Sequence, residues 1–256
     1  MLPSLLSSLV LLAFGALLFR RRQKLKQRLL AIKGTAVGRL GNLRQLVDQV
    51  AAEVGPGAYR ERVALVGTIR CDAPLDATLS KQACVYCQTV VKEKYRETVT
   101  TTDSSGRRSR RSQRRTRVIS RDVLHTPFYL EDSSGQVRID PDRFDIEGVT
   151  VVQRFEPASP EDRRSRRAHS STLGYHYHED ILPLGTTVYV IGELTDEGLE
   201  LTLVAPTTPS SGIITYQSRQ ALTSKLEKSV RRRGWASAVL LVASISVLAF
   251  GLYRLL

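Results

Sequence analysis

Two apolar stretches, one near each end of the chain, constrain this sequence more than any other feature. Leu2 to Phe19 and Trp235 to Tyr253 contain no charged residue. A helix of about 20 residues is about 30 Å long, which is the thickness of the hydrocarbon layer of a bilayer. Beyond scattered serines, neither stretch shows the polar face that a core helix carries. We therefore predict transmembrane helices at residues 2–19 and 234–254.

Basic residues flank both stretches on the side of the central region. They are Arg20, Arg21, Arg22, Lys24, Lys26 and Arg28 after the first stretch, and Lys225, Lys228, Arg231, Arg232 and Arg233 before the second. Lysine and arginine near the end of a membrane span stay on the cytoplasmic side. Because the charges follow the first apolar stretch, it is unlike a cleaved signal peptide. The prediction is an integral, two-pass membrane protein with a cytoplasmic central domain and both termini on the opposite side.

The region between these stretches is predicted to be rich in β-strands. Residues 20–57 form a basic, amphipathic helical segment that ends at a Gly-Pro-Gly sequence, and residues 218–233 form a basic helix. Between them, residues 62–216 show period-two alternation and turn signals. The predicted fold class is a membrane-anchored α+β protein, with an antiparallel barrel, OB-like, or a sandwich between the two transmembrane helices. Two Arg-rich segments, residues 103–117 and 157–171, are predicted to be mobile loops.

The cysteines and histidines offer candidate metal or redox residues. Cys84 and Cys87 form a C-x-x-C pair on a predicted strand, where residues three apart point to opposite faces. With Cys71 they make only three cysteines, so neither a zinc site nor a disulfide framework is expected. His176 and His178 share a strand face, but a metal would need further ligands, and solvent-facing histidines are the alternative. No phosphate-binding loop or nucleophile motif is present.

The net charge of +13 is concentrated in the flanking clusters and the two Arg-rich segments. A cluster of this kind binds nucleic-acid phosphates, binds anionic lipid headgroups or is simply solvated. No aromatic residue lies between the arginines, which disfavours nucleic acid. The candidate contacts with an anionic surface are Arg107, Arg108, Arg110, Arg111, Arg114 and Arg115.

The order of blocks resembles that of the GIDE family, whose known members include RING-type ubiquitin ligases of the mitochondrial outer membrane and the chloroplast envelope. The resemblance lies in "PFYLEDSSGQVRIDP" from Pro127 and in "HEDILPLGTTVYVIGEL" from His178. It is carried most strongly by Glu179, Leu182, Pro183, Gly185, Val190, Gly192 and Glu193.

The resemblance implies a RING finger after the second apolar stretch, and a RING needs eight cysteine or histidine ligands. Leu256 ends the chain where that finger would begin, as in bacterial members of the family. No catalytic residue, cofactor or metal is therefore expected. The predicted function is a non-catalytic binding module that contacts anionic lipid or protein partners. The alternative is a ubiquitin-ligase-family role in organelle organisation that needs a separate catalytic partner.

Overall fold

The computed structural model describes residues 2–102, 106–159, 170–197, 200–206 and 212–253. Its helices are α1 (Leu2–Gly34), α2 (Leu40–Val54) and α3 (Arg219–Tyr253). Its strands are β1 (Arg60–Arg70), β2 (Leu75–Asp76), β3 (Ala83–Thr102), β4 (Arg108–His125), β5 (Phe128–Asp132), β6 (Gly135–Ile139), β7 (Asp145–Glu147), β8 (Val149–Pro157), β9 (Ser170–Pro183), β10 (Thr187–Thr195), β11 (Thr202–Val204) and β12 (Ile213–Thr215).

Five strands close into a small barrel. The ring runs β1–β5–β6–β11–β10 and returns to β1, because β10 pairs with β1 from Thr187 to Thr195. Within this ring, the strand pairs are antiparallel except for β6 with β11. Outside the ring, β12 pairs with β10, and β7 pairs with β12. Inward residues of β1 and β10, such as Leu65, Val190 and Leu194, are fully buried. The alternation of apolar residues in the sequence therefore builds the barrel core.

A second sheet contains β4, β3, β9 and β8 in that order, and the short β2 pairs with the start of β3. β3 and β9 have register shifts between Cys84 and Tyr86 and between Lys94 and Tyr95. The first shift brings Cys84 and Cys87 into one buried cluster with Ala77 and Ile181. The expectation that the two cysteines point to opposite faces is therefore wrong, because it assumed a regular strand.

Helices α1 and α3 lie side by side and attach to the barrel. Ile32, Leu222 and Leu226 are buried together with Tyr189 and Ile191 of β10. Arg219 donates hydrogen bonds to the carbonyl oxygens of Ile32, Lys33 and Thr35 at 3.0–3.2 Å. These bonds satisfy carbonyl groups at the end of α1 that have no partner within the helix.

The predictions made for the two ends of the chain are wrong. In the part of the chain that the structure describes, no helix is both long enough and apolar enough to span a bilayer. Each apolar stretch continues without a break into a basic segment, which gives helices of 33 and 35 residues. This finding overturns the transmembrane helices at 2–19 and 234–254, the membrane-anchored fold class, and the two-pass localisation with a cytoplasmic central domain.

Substitution of a barrel glycine tests this packing. A Cβ atom at Gly192 would lie 2.8 Å from Cγ of Leu203 and 2.9 Å from the carbonyl oxygen of Val204. We expect Gly192→Ala to lower the free energy of unfolding by about 1–3 kcal/mol, because the neighbouring strand must move. A Cβ at Gly34 meets nothing within 4 Å, so Gly34→Ala is the matched control. Equal stability of the two variants in urea unfolding would contradict the packing of β10 against β11.

Candidate functional site

The longest feature of the second sheet is the antiparallel pair of β3 and β4, here called the ribbon. Its described pairing runs from Tyr86 with His125 to Thr102 with Arg108. Pairing of β3 with β9 is described as far as Glu97 with Ser170, the first described residue after 160–169. Along β4 every side chain is exposed except that of Ser120, which is half-buried. The structure thus places Arg108 to Arg117 in a strand, although the sequence assigned them to a loop.

One face of the ribbon carries positive charges only. Residues directly opposite one another in an antiparallel pair share a face, and alternate residues along a strand share a face. Thr102 lies opposite Arg108, Thr100 opposite Arg110, Arg96 opposite Arg114 and Lys94 opposite Thr116. We call the face that these pairs share the basic face. Its charged residues in this stretch are Lys94, Arg96, Arg108, Arg110 and Arg114.

The carboxylates of the ribbon lie on the other face, where they are already paired. Arg117 donates to Glu93 at 2.6 Å, and Arg115 lies 3.1 Å from Glu97. Thr172 of β9 also donates to Glu93 at 2.6 Å. The guanidinium group of Arg117 lies over the ring of Tyr95, 5.2 Å from its centre. Because these contacts hold the acidic groups on one side, they do not neutralise the basic face.

The predicted arginines are therefore divided between the two faces. Arg108, Arg110 and Arg114 lie on the basic face, whereas Arg111 and Arg115 lie on the opposite face. Arg107 precedes β4. The prediction missed Lys94 and Arg96 of β3, although the sequence "KEKYR" spaces its basic residues two apart.

Aromatic groups lie at the inner end of the basic face. Lys92 lies opposite His176, and His176 opposite Phe155. The rings of His176 and Phe155 are 4.7 Å apart, and the amine of Lys94 lies 5.6 Å from the centre of the Phe155 ring. The exposed fraction of Phe155 is 43%. The face thus combines cations with one exposed aromatic ring that the sequence analysis did not connect to it.

The two other histidines that the structure describes make local polar contacts, and His169 lies outside the described residues. His178 lies 3.1 Å from Asp180, two residues along the same strand, and His125 lies 3.4 Å from Asp142. Across the described ranges, no group of three histidine, cysteine, aspartate or glutamate residues is placed to hold a metal ion. His176 and His178 therefore belong to no such group there.

A buried carboxylate, Glu179, fastens the β2–β3 turn to the sheet. It accepts hydrogen bonds from the backbone amides of Leu79 at 2.6 Å and Ser80 at 2.8 Å, and from the hydroxyl of Thr89 at 3.3 Å. Burial alone would raise the pKa of Glu179, but the hydrogen bonds from Ser80, Leu79 and Thr89 together lower it. The group therefore serves as an ionised anchor, which is a structural role.

The neighbouring thiol is not activated. Burial raises the pKa of Cys84 to about 11, and the charges of Cys87 and Glu179 add to the effect. A thiol with a raised pKa is a poor nucleophile at neutral pH, because the thiolate is the reactive form.

A cleft of about 470 Å³ lies between the helices and the strands. Ion pairs cross it: Arg28 lies 2.5 Å from Asp145, and Lys225 lies 2.7 Å from Glu147. Glu147 also accepts hydrogen bonds from Gln217 at 2.9 Å and Thr215 at 3.1 Å. These ion pairs and hydrogen bonds therefore hold α1 and α3 against β7.

The residues that carried the family resemblance are mostly structural. Leu182 and Val190 are fully buried, and Pro183 ends β9. Gly185 has φ +72°, a conformation that favours glycine. Gly192 allows the close approach of β11, and Glu193 lies 3.4 Å from Arg60. With Glu179, this set builds the scaffold that supports the ribbon.

A sequence profile of the GIDE family, described as E3 ubiquitin ligase, matches residues 96–249. That match covers more than half of the 256 residues and includes β4, β9 and β10. The chain belongs to the GIDE family. The resemblance seen in the sequence is confirmed, and the fully buried Leu182 and Val190 of its motif lie inside the matched range.

A curated relative supports the same assignment. The chain is 26% identical over 129 residues to E3 ubiquitin-protein ligase SPL1 of Arabidopsis thaliana. The aligned part is 48% of this chain and 38% of that protein, so the chain spans well under half of the relative it matches. No solved structure matches.

The anchor role of Glu179 predicts a pH-dependent stability. Its folded pKa lies below the ordinary 4.5, so its stabilisation is complete above pH 4.5 and is lost as the pH falls through the folded value. We expect Glu179→Gln to lower the free energy of unfolding at pH 7 by about 1–3 kcal/mol. The difference from the parent chain should shrink below pH 4.5. Glu53→Gln, on the exposed surface of α2, is the control, and a difference that does not depend on pH would contradict an ionised anchor.

Proposed function

We propose that this GIDE-family chain is a non-catalytic binding module, and that the ribbon contacts an anionic partner through its basic face. The observation that supports this proposal most directly is the separation of charge on the ribbon. Lys94, Arg96, Arg108, Arg110 and Arg114 share one face, while the ribbon's glutamates are paired on the other. A row of like charges is costly to keep together unless an anionic surface compensates it.

The spacing of these groups suits a surface with many closely spaced negative charges. Anionic lipid headgroups and acidic protein segments both provide such a surface. Near headgroups, each basic residue contributes about 1 kcal/mol, and the attraction decays within about 8 Å at physiological salt. Five cations on one exposed face therefore give useful affinity only when several engage together.

The non-catalytic part of the proposal rests on the polar groups of the described residues. Glu179 accepts hydrogen bonds that hold the β2–β3 turn, and Glu147 accepts hydrogen bonds in the cleft between the helices and the strands. The raised pKa of Cys84 keeps it a thiol at neutral pH. The two glutamates have hydrogen-bonding partners, and Cys84 is buried in an apolar cluster. None is left to act as a general acid, a general base or a nucleophile.

Binding to anionic probes tests the proposal. We expect the chain to bind phosphatidylserine vesicles and polyglutamate more strongly than neutral vesicles, with the affinity falling as salt rises. Combined replacement of Arg96, Arg110 and Arg114 by serine should weaken binding roughly 100-fold, at about 1 kcal/mol per residue. The control replaces Arg39, Arg44 and Arg138 by serine. These exposed residues lie away from the ribbon: Arg39 is at the start of α2, Arg44 is within α2 and Arg138 is on β6.

Equal losses in the two triple variants would show that net charge, not the basic face, drives binding. Tighter binding to a single-stranded oligonucleotide than to either acidic probe would also contradict the proposal, and would direct attention to Phe155 and His176.

Family membership favours a second candidate, a role in ubiquitin ligation that relies on a separate catalytic partner. The matched relative is named as an E3 ubiquitin-protein ligase. Under this candidate the module recruits a protein, and another polypeptide transfers ubiquitin. We expect the purified chain alone to leave the discharge rate of a ubiquitin-charged conjugating enzyme unchanged. Acceleration by the chain alone would contradict the non-catalytic proposal.

A further inference from the structure

In the part of the chain that the structure describes, the outer edge of β4 is a long strand edge with no neighbouring strand. Among the described residues β4 pairs with β3 alone, from Arg108 to His125, with a register shift that leaves Ile119 without a partner. The strand is 18 residues long and contains no proline. In an antiparallel pair, alternate residues of an edge strand direct their amide and carbonyl groups away from the neighbouring strand. Such an edge is a template for another strand.

Apolar side chains accompany the charges on this edge. Val118, Ile119, Val123 and Leu124 are 46–52% exposed, and they follow the Arg-rich half of the strand. Proteins protect edge strands with charges, but also with short length or proline. Here most of the charges lie in Arg108–Arg117, and the adjoining apolar half carries only Arg121, Asp122 and a bulge at Ile119. The arrangement is better explained by a surface that is covered when a partner binds.

We propose that the free edge of β4 accepts an extended acidic segment of a partner protein as an added strand. This inference deepens the proposed function, because it identifies the anionic partner of the ribbon. Carboxylates at alternate positions of the segment would meet Arg110 and Arg114 on the basic face. Apolar residues in its other half would meet Val118 and Val123. Backbone hydrogen bonds supply affinity in this mode of recognition, and the side chains supply specificity.

A second copy of this chain suits the edge poorly. The only acidic residue on β4 is Asp122, so two β4 strands placed edge to edge would bring Arg108, Arg110 and Arg114 together without adding carboxylate partners for them. Like charges directly opposite one another in a sheet are destabilising. An acidic segment avoids this cost. A lipid surface could neutralise the arginines, but it would leave the open backbone groups unpaired.

A strand-forming probe separates strand addition from simple charge attraction. The probe is the blocked peptide VTVTVTETETE, whose valines and glutamates share one face. Paired antiparallel with β4, it places glutamates opposite Arg110 and Arg114 and a valine opposite Val118. The control peptide has every threonine replaced by proline, so it has the same charge but cannot pair. We expect the probe to bind the full chain at least tenfold more tightly than the control, and to slow amide exchange in β4.

The same protein variants complete the test. Arg110→Ser with Arg114→Ser should weaken probe binding at least tenfold, whereas Arg39→Ser with Arg44→Ser should not change it. If both peptides bind equally while anionic vesicles still bind, the strand inference is wrong and the proposed function stands. If neither the peptides nor the vesicles bind, both are wrong. Concentration-dependent dimerisation that protects β4 without any peptide would overturn the inference in favour of a second copy.

Discussion

The backbone pairing of β3 with strands on both sides is the constraint on which the rest of the second sheet depends. Its inner part pairs with β9 as well as β4 and carries the buried residues Cys84, Cys87 and Val90. In the described residues its outer part pairs with β4 alone, and this part of the pair is the outer half of the ribbon. β4 itself buries almost nothing, and its position is therefore set by hydrogen bonds to a strand that the core holds in place.

The sorting of charge follows from that pairing. Because the strand period is two, a fixed register decides which face each side chain occupies. Glu93 and Glu97 occupy the same face as Arg117 and Tyr95, and they make their contacts there. The basic residues on the other face are left facing outward. The sequence of β3 alone shows this separation, with basic residues at even and glutamates at odd positions, whereas β4 carries arginines at both, so only the register assigns those to a face.

Some of this architecture could be predicted from the sequence. Alternation in "RVALVGTIR" and "TTVYVIGEL" reflects the barrel strands β1 and β10, and the GIDE resemblance was recognised from "HEDILPLGTTVYVIGEL". The parallel pairing of β6 with β11 was not predictable, because it joins segments far apart in the chain. The prediction that Cys84 and Cys87 point to opposite faces was wrong because the bulge between them has no clear signal in the sequence. The transmembrane interpretation rested on the two apolar stretches, but no helix of the described residues is both long enough and apolar enough to span a bilayer.

The central claim is that β4 is an ordered strand with one paired edge and one open edge. Residue-resolved amide hydrogen exchange of the unbound chain tests it most directly. The account predicts an alternating pattern along Arg108–His125, in which amides that face β3 exchange slowly and those between them exchange quickly. Uniformly fast exchange would mean that the ribbon does not form, and uniformly slow exchange would mean that the outer edge is already covered.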